Sequence, residues 1–315
     1  MPIELRAYAP RDFAALHALL RDPSLAGEFD TLQSAQAVEG WLADPFLDRE
    51  LHCLAWEGEK LAAFAAPYVL PGREGRFAVI RCGVLGTHRR RGIGTLLYER
   101  QRSAIAERHP DVHEVSVSAW LPAAGAEGFA AARGFDRVRT YWLMERPRGP
   151  IAGPAWPQGM RLAGDQDPER SWRDLTAAYN DSFANHYHSS IVTIEDTRSI
   201  FTRPGFRRDG YVLAYRDQTC VGFCRCELHQ GRGEIALVGT VEAARGIGLG
   251  RALLRWGVRW LEREGVARVT LLVDGDNENA LRLYRSEGFD VVQTRAAWNC
   301  PNSARGDTAN GAGGR

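Results

Sequence analysis

The sequence lacks several features, and each absence excludes a class of protein. No run of about 20 apolar residues occurs, so no membrane-spanning helix is expected. The formal net charge is only +1, which leaves no basic field to attract nucleic acid or an acidic membrane surface. The first residues, 1–6, do not show the charged and then apolar pattern of a secretory signal, so we expect a cytoplasmic protein.

Lysine and closely spaced metal ligands are also scarce. Lys60 is the only lysine, and we attribute the use of arginine elsewhere to coding bias. Cys220, Cys224 and Cys226 lie close together, but no second Cys or His pair completes a zinc spacing. We therefore expect no metal site, and we expect the cysteines to behave as small buried hydrophobic residues.

One Gly-rich segment is present twice. Residues 89–94 read RRRGIG and residues 245–250 read RGIGLG, and each segment follows an apolar run. A Gly-Phe pair follows each of them, at 134–135 and at 288–289. The loop glycines are 156 positions apart and the Gly-Phe pairs 154, which indicates a tandem duplication.

The duplication predicts two domains of similar size. We expect an N-terminal domain at 1–148 and a C-terminal domain at 160–300, joined by a linker at 149–159 that is rich in proline and glycine. Residues 301–315 are small, polar and Gly-rich, which predicts a disordered tail. Short strands and amphipathic helices alternate in each half, so the expected fold class is α+β (mixed α/β).

A strand that leads into a Gly-rich loop and then a helix suits a phosphate group. The free N–H groups and the dipole at the helix N-terminus attract a pyrophosphate, and glycine lets the backbone approach it closely. A dinucleotide-binding fingerprint would need glycine where Arg251 stands, and a Walker loop would need a Gly-Lys-Ser/Thr sequence. A loop of this kind is also compatible with a simple turn, so the pattern alone leaves the ligand open.

The second half carries a further motif, DNENALRLYRSEGF at 276–289, in which Asn277 suits a helix N-cap and Gly288 the helix end. Together with the second Gly-rich segment, this motif resembles the GNAT acetyltransferase family. The resemblance covers most of 160–298 and, more loosely, 3–145. It implies two tandem domains, each with a central, mostly antiparallel sheet flanked by helices, and acetyl-CoA as the co-substrate.

The same resemblance implies where acetyl-CoA binds. Its pyrophosphate would lie on the Gly-rich loop and its pantetheine in a V-shaped gap between the fourth and fifth strands, while an acceptor amine enters from the opposite side. The cofactor-binding residues expected in the second half are Val238, Gly239, Thr240, Arg245, Gly246, Ile247, Gly248, Leu249, Gly250 and Arg251. Those expected in the first half are Cys82, Gly83, Val84, Arg89, Arg90, Arg91, Gly92, Ile93, Gly94 and Thr95.

Acetylation of an amine needs a base for the amine proton and an acid for the departing thiolate. Tyr284 stands where members of the family often place a tyrosine that protonates the CoA sulfur, and we predict Glu234 as the base. Backbone N–H groups of 238–240 would hold the acetyl oxygen, and Gly239 suits a bulge that separates the strands. Alternatively, Tyr284 only packs in the core and Glu234 is a solvated carboxylate.

The first half has neither side chain. Counting 14 positions back from the loop glycine places Ala78 where the second half has Glu234, and Ala130 stands where it has Tyr284. Because alanine neither gives nor takes a proton, we predict an N-terminal half that is catalytically silent but still able to bind CoA. The chain would then be an internal pseudo-dimer, present as a monomer or as a homodimer.

The acceptor is less defined. Tandem halves with an intact second site resemble the mycothiol synthase group, which acetylates the cysteinyl amine of a sugar–inositol conjugate. That group's His-Pro-Glu-Gln-Gly-like segment is replaced here by HYHSS at 186–190, and an expected lysine is missing near Cys224. We expect acetylation of a primary amine of a small molecule, with His186 and His188 either lining its pocket or solvated. The alternatives are a peptide or protein N-acetyltransferase and a non-catalytic CoA-binding sensor.

Overall fold

The structure is a computed structural model that describes residues 2–72, 75–123, 125–164, 167–189, 191–203, 206–229 and 232–302. Most of the predicted disordered tail, from 303 onward, lies outside the described residues. The α-helices within these ranges are α1 (Phe13–Leu20), α2 (Ala35–Leu42), α3 (Ile93–Arg108), α4 (Ala126–Ala131), α5 (Pro168–Ser182), α6 (Ile194–Thr202), α7 (Leu249–Arg263) and α8 (Glu278–Ser286). None of these helices is long and apolar enough to cross a bilayer.

The described strands form one continuous sheet in the order β1-β2-β3-β4-β5-β12-β6-β11-β10-β9-β8-β7. The strands are β1 (Ile3–Ala7), β2 (Cys53–Glu57), β3 (Lys60–Gly72), β4 (Gly75–Val84), β5 (Val112–Leu121), β6 (Asp136–Pro147), β7 (Met160–Ala163), β8 (Tyr211–Arg216), β9 (Thr219–His229), β10 (Arg232–Thr240), β11 (Arg268–Asp274) and β12 (Asp290–Pro301). Only β4–β5 and β10–β11 pair in parallel, and the predicted mixed fold with a mostly antiparallel sheet is confirmed.

The two halves exchange their last strands. β6, from the first half, lies between β12 and β11, and β12, from the second half, lies between β5 and β6. β6 pairs with β11 along the register from Pro147↔Arg268 to Tyr141↔Asp274, and β12 pairs with β5 from Thr294↔Leu121 to Pro301↔Glu114. The sheet of each half is therefore completed by a strand of the other half.

The segment between β6 and β7 is fixed to the second half. Residues 149–159 contain no helix or strand, yet Ile151 and Trp156 pack against the core around α7. Arg146, buried at the end of β6, donates to Glu262 at 2.6 Å and to the carbonyl oxygens of Glu287, Gly149 and Pro150. A buried guanidinium with this many acceptors holds the exchanged strand and the following segment in place.

Helices cover both faces of the sheet. The side chains of β9 show the division, since Phe223 packs in the cluster of α5 and α6 whereas Cys224 packs in the cluster of α7. In the first half α3 packs in one cluster, and α1 and α2 in another. On one face of the sheet, the loops after α1, α2 and α5 lie over the middle strands.

Each half has a pair of parallel strands that separate. β4 and β5 pair only from Arg76↔Val112 to Val79↔Ser116, and β10 and β11 only at Gly233↔Val269 and Glu234↔Thr270. Beyond these pairs the strands diverge and leave a V-shaped gap. We call the gap between β4 and β5 the first gap, and that between β10 and β11 the second gap.

The bulge predicted at Gly239 is wrong in position. The register between β10 and β9 shifts between Ile235 and Leu237, so the extra residue is Ala236, whereas Gly239 pairs regularly with Phe223. Glycine is needed at 239 for another reason: a Cβ there would lie 2.5 Å from Cζ of Phe223. The ring therefore passes directly over the backbone of β10.

This bulge also changes the correspondence between the halves. β4 pairs with β3 without a register shift, whereas β10 contains the extra residue Ala236. Counting equal numbers of positions back from the two loop glycines therefore misaligns the halves by one residue for every position before Ala236. The last parallel pairs, Val79↔Ser116 and Glu234↔Thr270, show that Val79 corresponds to Glu234. The predicted counterpart Ala78 is therefore wrong, although valine is equally unable to act as a base.

A buried histidine in the first half makes the stability of the fold depend on pH. The ring of His52 stacks on Tyr8 at 4.9 Å and meets the edge of Trp41 at 5.6 Å, and within the described residues neither ring nitrogen has a hydrogen-bond partner. Burial lowers the pKa of His52 from 6.5 to about 4. The unfolded chain therefore binds a proton at a higher pH than the folded chain does.

We expect the protein to lose about 3 kcal/mol of stability through His52 as the pH falls from 6.5 towards 4. The stability is present above pH 6.5, where the ring is neutral in both states. Replacement of His52→Phe should remove this part of the acid sensitivity. Urea unfolding of both proteins at pH 7.5 and pH 4.5 measures it, and equal pH dependence of the two would contradict the prediction.

Candidate active site

The two Gly-rich loops have the same backbone conformation. Gly92 (φ 80°, ψ −3°) caps the start of α3, and Gly248 (φ 89°, ψ −3°) caps the start of α7. Gly246 has φ 79°, and Arg90, at the matching position, has φ 62°. These angles lie in the left-handed region that favours glycine, so the first loop keeps its shape even where arginine replaces glycine.

Space is open in front of both loops. A Cβ on Gly92, Gly246 or Gly248 would meet no atom of the described residues within 4 Å, and no side chain caps the start of α3 or α7. A Cβ on Gly250 would lie 3.9 Å from both Leu283 and Thr240, so α7, α8 and β10 converge here. Unpaired amides at a helix start, with room before them, fit a diphosphate.

Several arginines that the sequence offered as phosphate ligands are occupied by the protein itself. Arg245 donates to the carbonyl oxygen of Ser182 at 3.1 Å, and Arg89 donates to that of Val84 at 3.1 Å. Arg91 forms an ion pair with Glu57. These side chains fix the loops to neighbouring elements, which leaves the backbone N–H groups as the phosphate donors that the geometry supports.

The start of each helix also has a guanidinium beside it, and that group too is bound by the protein. Arg251 donates to Ser286 at 2.8 Å and pairs with the buried Glu287, which Arg255 also binds. Although burial opposes it, these arginines hold the pKa of Glu287 below its usual range. In the first half the matching residues are Thr95 and Arg133, and Arg133 donates to the Thr95 hydroxyl. The cation therefore sits on α7 in one half and after α4 in the other.

The side chain of Tyr284 lies in the core beside the second gap. Its ring is buried in the same cluster as Leu249 and Val238, and within the described residues nothing hydrogen-bonds its hydroxyl. Burial, and then the nearby Cys224 thiol, raise the pKa of Tyr284 above its usual value of 10. The phenol is therefore protonated at neutral pH and able to donate. Its counterpart Ala130 is fully buried.

The backbone of β10 is open towards the second gap. Val238, Gly239 and Thr240 pair with β9 along one edge, while pairing with β11 ends at Glu234. In the first half, 82–84 pair with β3 in the same way. Amide groups that face either gap have no strand partner, as a site for an acetyl oxygen requires.

A cavity of about 510 Å³ lies over the middle strands, and both halves contribute to its wall. Glu234 lines it at the point where the second gap opens, together with Thr270. The full set of lining residues is Gly27, Glu28, Asp30, Thr31, Asp44, Tyr68, Leu70, Val79, Arg81, Ser118, Trp120, Leu143, Arg232, Glu234, Thr270, Leu272, Gln293 and Arg295. Charged, aromatic, hydroxyl and aliphatic side chains all contribute to this wall.

Two residues beside Glu234 were missed by the sequence analysis. Nε2 of His229 lies 2.9 Å from Oε2 of Glu234, and Glu227 is the cross-strand neighbour of Glu234. Although burial opposes it, Arg225 and Arg203 hold the pKa of Glu227 below its usual range. The signal available in the sequence was a His and a Glu five residues apart, at 229 and 234, which antiparallel pairing of the two strands brings together.

The first gap has a carboxylate at one of its edges. Glu28, on the loop after α1, accepts a hydrogen bond from the backbone N–H of Trp120 at 2.9 Å. Trp120 pairs with Arg295 of β12 on its other edge, so this N–H faces β4 across the gap. A negative charge here would oppose both the electron-rich acetyl oxygen and a thiolate.

His186 and His188, which would either line the acceptor pocket or be solvated, are not in the wall of this cavity. His188 stacks on Phe77 at 4.1 Å and hydrogen-bonds Glu114 of the first half. Tyr187 accepts a hydrogen bond from Asn299. The loop after α5 is thus docked across strands of the other half, which the local sequence does not reveal.

Comparison with known proteins agrees with this geometry. The model of the Acetyltransferase (GNAT) family matches residues 13–135 and again 172–289. A mycothiol acetyltransferase of Catenulispora acidiphila is 32% identical over 246 residues, which are 75% of this chain and 76% of that protein. A mycothiol acetyltransferase of Thermobispora bispora is 35% identical over 252 residues, which are 75% and 79%.

Among solved structures, a tandem GNAT protein from the clavulanic acid biosynthesis pathway has a TM-score of 0.74 at 19% identity, over 97% of this chain and 100% of that chain. At this identity the likeness concerns the fold. It extends over both matched segments, each of which contains a Gly-rich loop at a helix start and a pair of separating strands. The chain therefore belongs to the GNAT family of acetyltransferases, carries two units of that family in tandem, and is an acetyl-CoA-dependent N-acetyltransferase.

Proposed function

We propose that the chain transfers the acetyl group of acetyl-CoA to a primary amine of a small molecule, and that the second half carries the chemistry. One observation carries the proposal, namely the difference between the two gaps. Tyr284 and Glu234 lie at the second gap, whereas the first gap has Ala130 and Val79 at the matching positions and a carboxylate, Glu28, bound to an N–H at its edge.

Each group at the second gap has one task in this reaction. Glu234, in the cavity wall, takes a proton from the acceptor amine, which then attacks the acetyl carbonyl. Unpaired N–H groups of β10 near Gly239 stabilise the negative charge on the acetyl oxygen. As the C–N bond forms and the C–S bond breaks, the hydroxyl of Tyr284 protonates the departing thiolate.

We propose that the first half, 1–148, binds CoA without turnover. Its loop has the conformation of the second loop, open space lies before Gly92, and Arg133 supplies a cation at the start of α3. Calorimetric titration with CoA tests this assignment. Two molecules per chain would support binding by both halves, whereas one would restrict it to 160–300.

The cavity indicates the kind of acceptor. Its volume of about 510 Å³ suits a small molecule. The first half supplies Arg81, Asp44 and Trp120 to the wall, a mixture that suits a polar, hydroxyl-rich acceptor. Because the curated relatives named above are mycothiol acetyltransferases, the amine that yields mycothiol on acetylation is the first acceptor to test.

The test of the proposed function is CoA release from acetyl-CoA in the presence of a panel of amines. The panel includes the mycothiol precursor amine, amino sugars, amino-group antibiotics and a peptide with a free N-terminus. We expect turnover with a small-molecule amine and loss of turnover in Glu234→Gln. Binding of acetyl-CoA without turnover across the panel would favour a sensor, and turnover confined to the peptide a peptide N-acetyltransferase.

Substitution of Gly248→Val is expected to weaken acetyl-CoA binding at the second site by about ten-fold or more, ~1.4 kcal/mol. The added side chain would enter the open space before α7 and strain a residue at φ 89°. Gly265→Val is the matched control, because Gly265 has φ 84° at the other end of α7 and its Cβ would also be in open space. Calorimetry showing equal affinity for both variants would refute the loop assignment.

A further inference from the structure

We propose that His229 is a positioning residue that orients the Glu234 carboxylate and conducts away the proton that Glu234 takes from the acceptor. The inference rests on the proposed function and assigns a role to a side chain outside the cavity wall. Its basis is the 2.9 Å contact between Nε2 of His229 and Oε2 of Glu234 across the β9–β10 hairpin.

The proton balance of the reaction leaves one proton that must reach solvent. An ordinary amine enters as an ammonium ion, so the overall change is R–NH₃⁺ plus acetyl-CoA giving the amide, CoA thiol and one free proton. The proton that the nitrogen loses as the C–N bond forms passes to the Tyr284 oxygen, which has given its own proton to the thiolate, so these two transfers cancel. The proton removed from the ammonium remains on Glu234 and must leave before the next turnover.

The position of His229 fits this exit. Glu234 lines the cavity and is 29% exposed, an opening that a bound acceptor covers. His229 is outside the cavity wall and is 12% exposed, so the ring offers the proton a path to solvent while the acceptor is in place.

The other charged groups near His229 either lie opposite it on the neighbouring strand or are bound to another residue. Arg232 stands opposite it in register. Arg203 and Arg225 are bound to Glu227, at 2.5 and 3.3 Å respectively. This leaves Glu234 as the carboxylate that the ring itself contacts, as in other sites where a third group orients a catalytic base.

Two substitutions separate conduction of the proton from a structural role. His229→Ala is expected to lower kcat about ten- to one-hundred-fold with KM for acetyl-CoA unchanged, and added imidazole should restore much of the rate. His229→Gln keeps a donor for Glu234 but cannot carry a proton, so it should remain slow, with a kcat that rises with buffer concentration. The exposed His113→Gln serves as the control and should behave as wild type.

The outcomes distinguish the inference from the proposed function. Wild-type kcat in His229→Gln, or the absence of any imidazole effect on His229→Ala, would overturn the inference while leaving the acetyl transfer intact. If His229→Ala does not fold, the buffer dependence of His229→Gln decides the question. Wild-type protein that acetylates no amine in the panel would overturn the proposed function and this inference with it.

Discussion

Replacement of Tyr284→Phe is expected to lower kcat by roughly ten-fold to ten-thousand-fold, the range for loss of a positioned acid. The change deletes one oxygen from a buried ring, and within the described residues no hydrogen bond is lost with it. Packing against Phe289, at 6.1 Å between ring centroids, is retained. The thiolate would then leave without its proton donor. Single-turnover measurement of CoA release, with an acceptor for which chemistry limits the rate, measures the effect.

The first half offers a matched control in Tyr98→Phe. The Tyr98 ring packs 5.5 Å from Phe135, the counterpart of Phe289, and its hydroxyl contacts the Cys300 sulfur at 3.4 Å. This substitution should leave kcat unchanged and cost at most a modest amount of stability. A Tyr284→Phe variant with the wild-type single-turnover rate would remove the phenol from its role as acid.

Separation of the halves is expected to prevent either from folding as a monomer. In a fragment 1–153, β6 would lose both of its neighbours, β12 and β11, and β5 would lose β12. Met144 on β6, fully buried in the core of the second half, would be exposed. Long unpaired strand edges with apolar side chains lead to aggregation or to exchange between copies.

The measurement is expression of 1–153 and 154–315 separately and together, followed by size-exclusion chromatography and thermal unfolding. Each fragment alone should be insoluble or oligomeric, and the pair should assemble into one cooperative unit, for which the uncut chain is the control. A monomeric 1–153 with cooperative unfolding would show that β12 is dispensable for the first half.

Local features of the fold were predictable because their causes are local. The glycine that ends α8 was expected at Gly288 and has φ 83°. Asn277 was expected to cap α8, and its side chain accepts a hydrogen bond from the N–H of Ala280 at 3.1 Å. Steric freedom at glycine and a side-chain oxygen before a helix act within a few residues, so the sequence contains all that determines them.

The remaining features depend on residues that are distant in sequence. The bulge at Ala236 is a property of the pairing with β9, and it displaced the inferred counterpart of Glu234 by one residue. His229 was missed because its role arises from a side chain across a hairpin. The strand exchange was missed because the pattern of β6 is the same whichever half it completes.

The exchanged strands also bear on how the protein is made. On a ribosome, β5 emerges about 170 residues before β12, which at cellular elongation rates is roughly ten to thirty seconds. During that interval the edge of β5 that β12 covers in the finished fold lacks its final partner. Synthesis of this protein therefore has a stage in which a chaperone would bind the exposed edge of β5. Slow codons after β5 would prolong that stage.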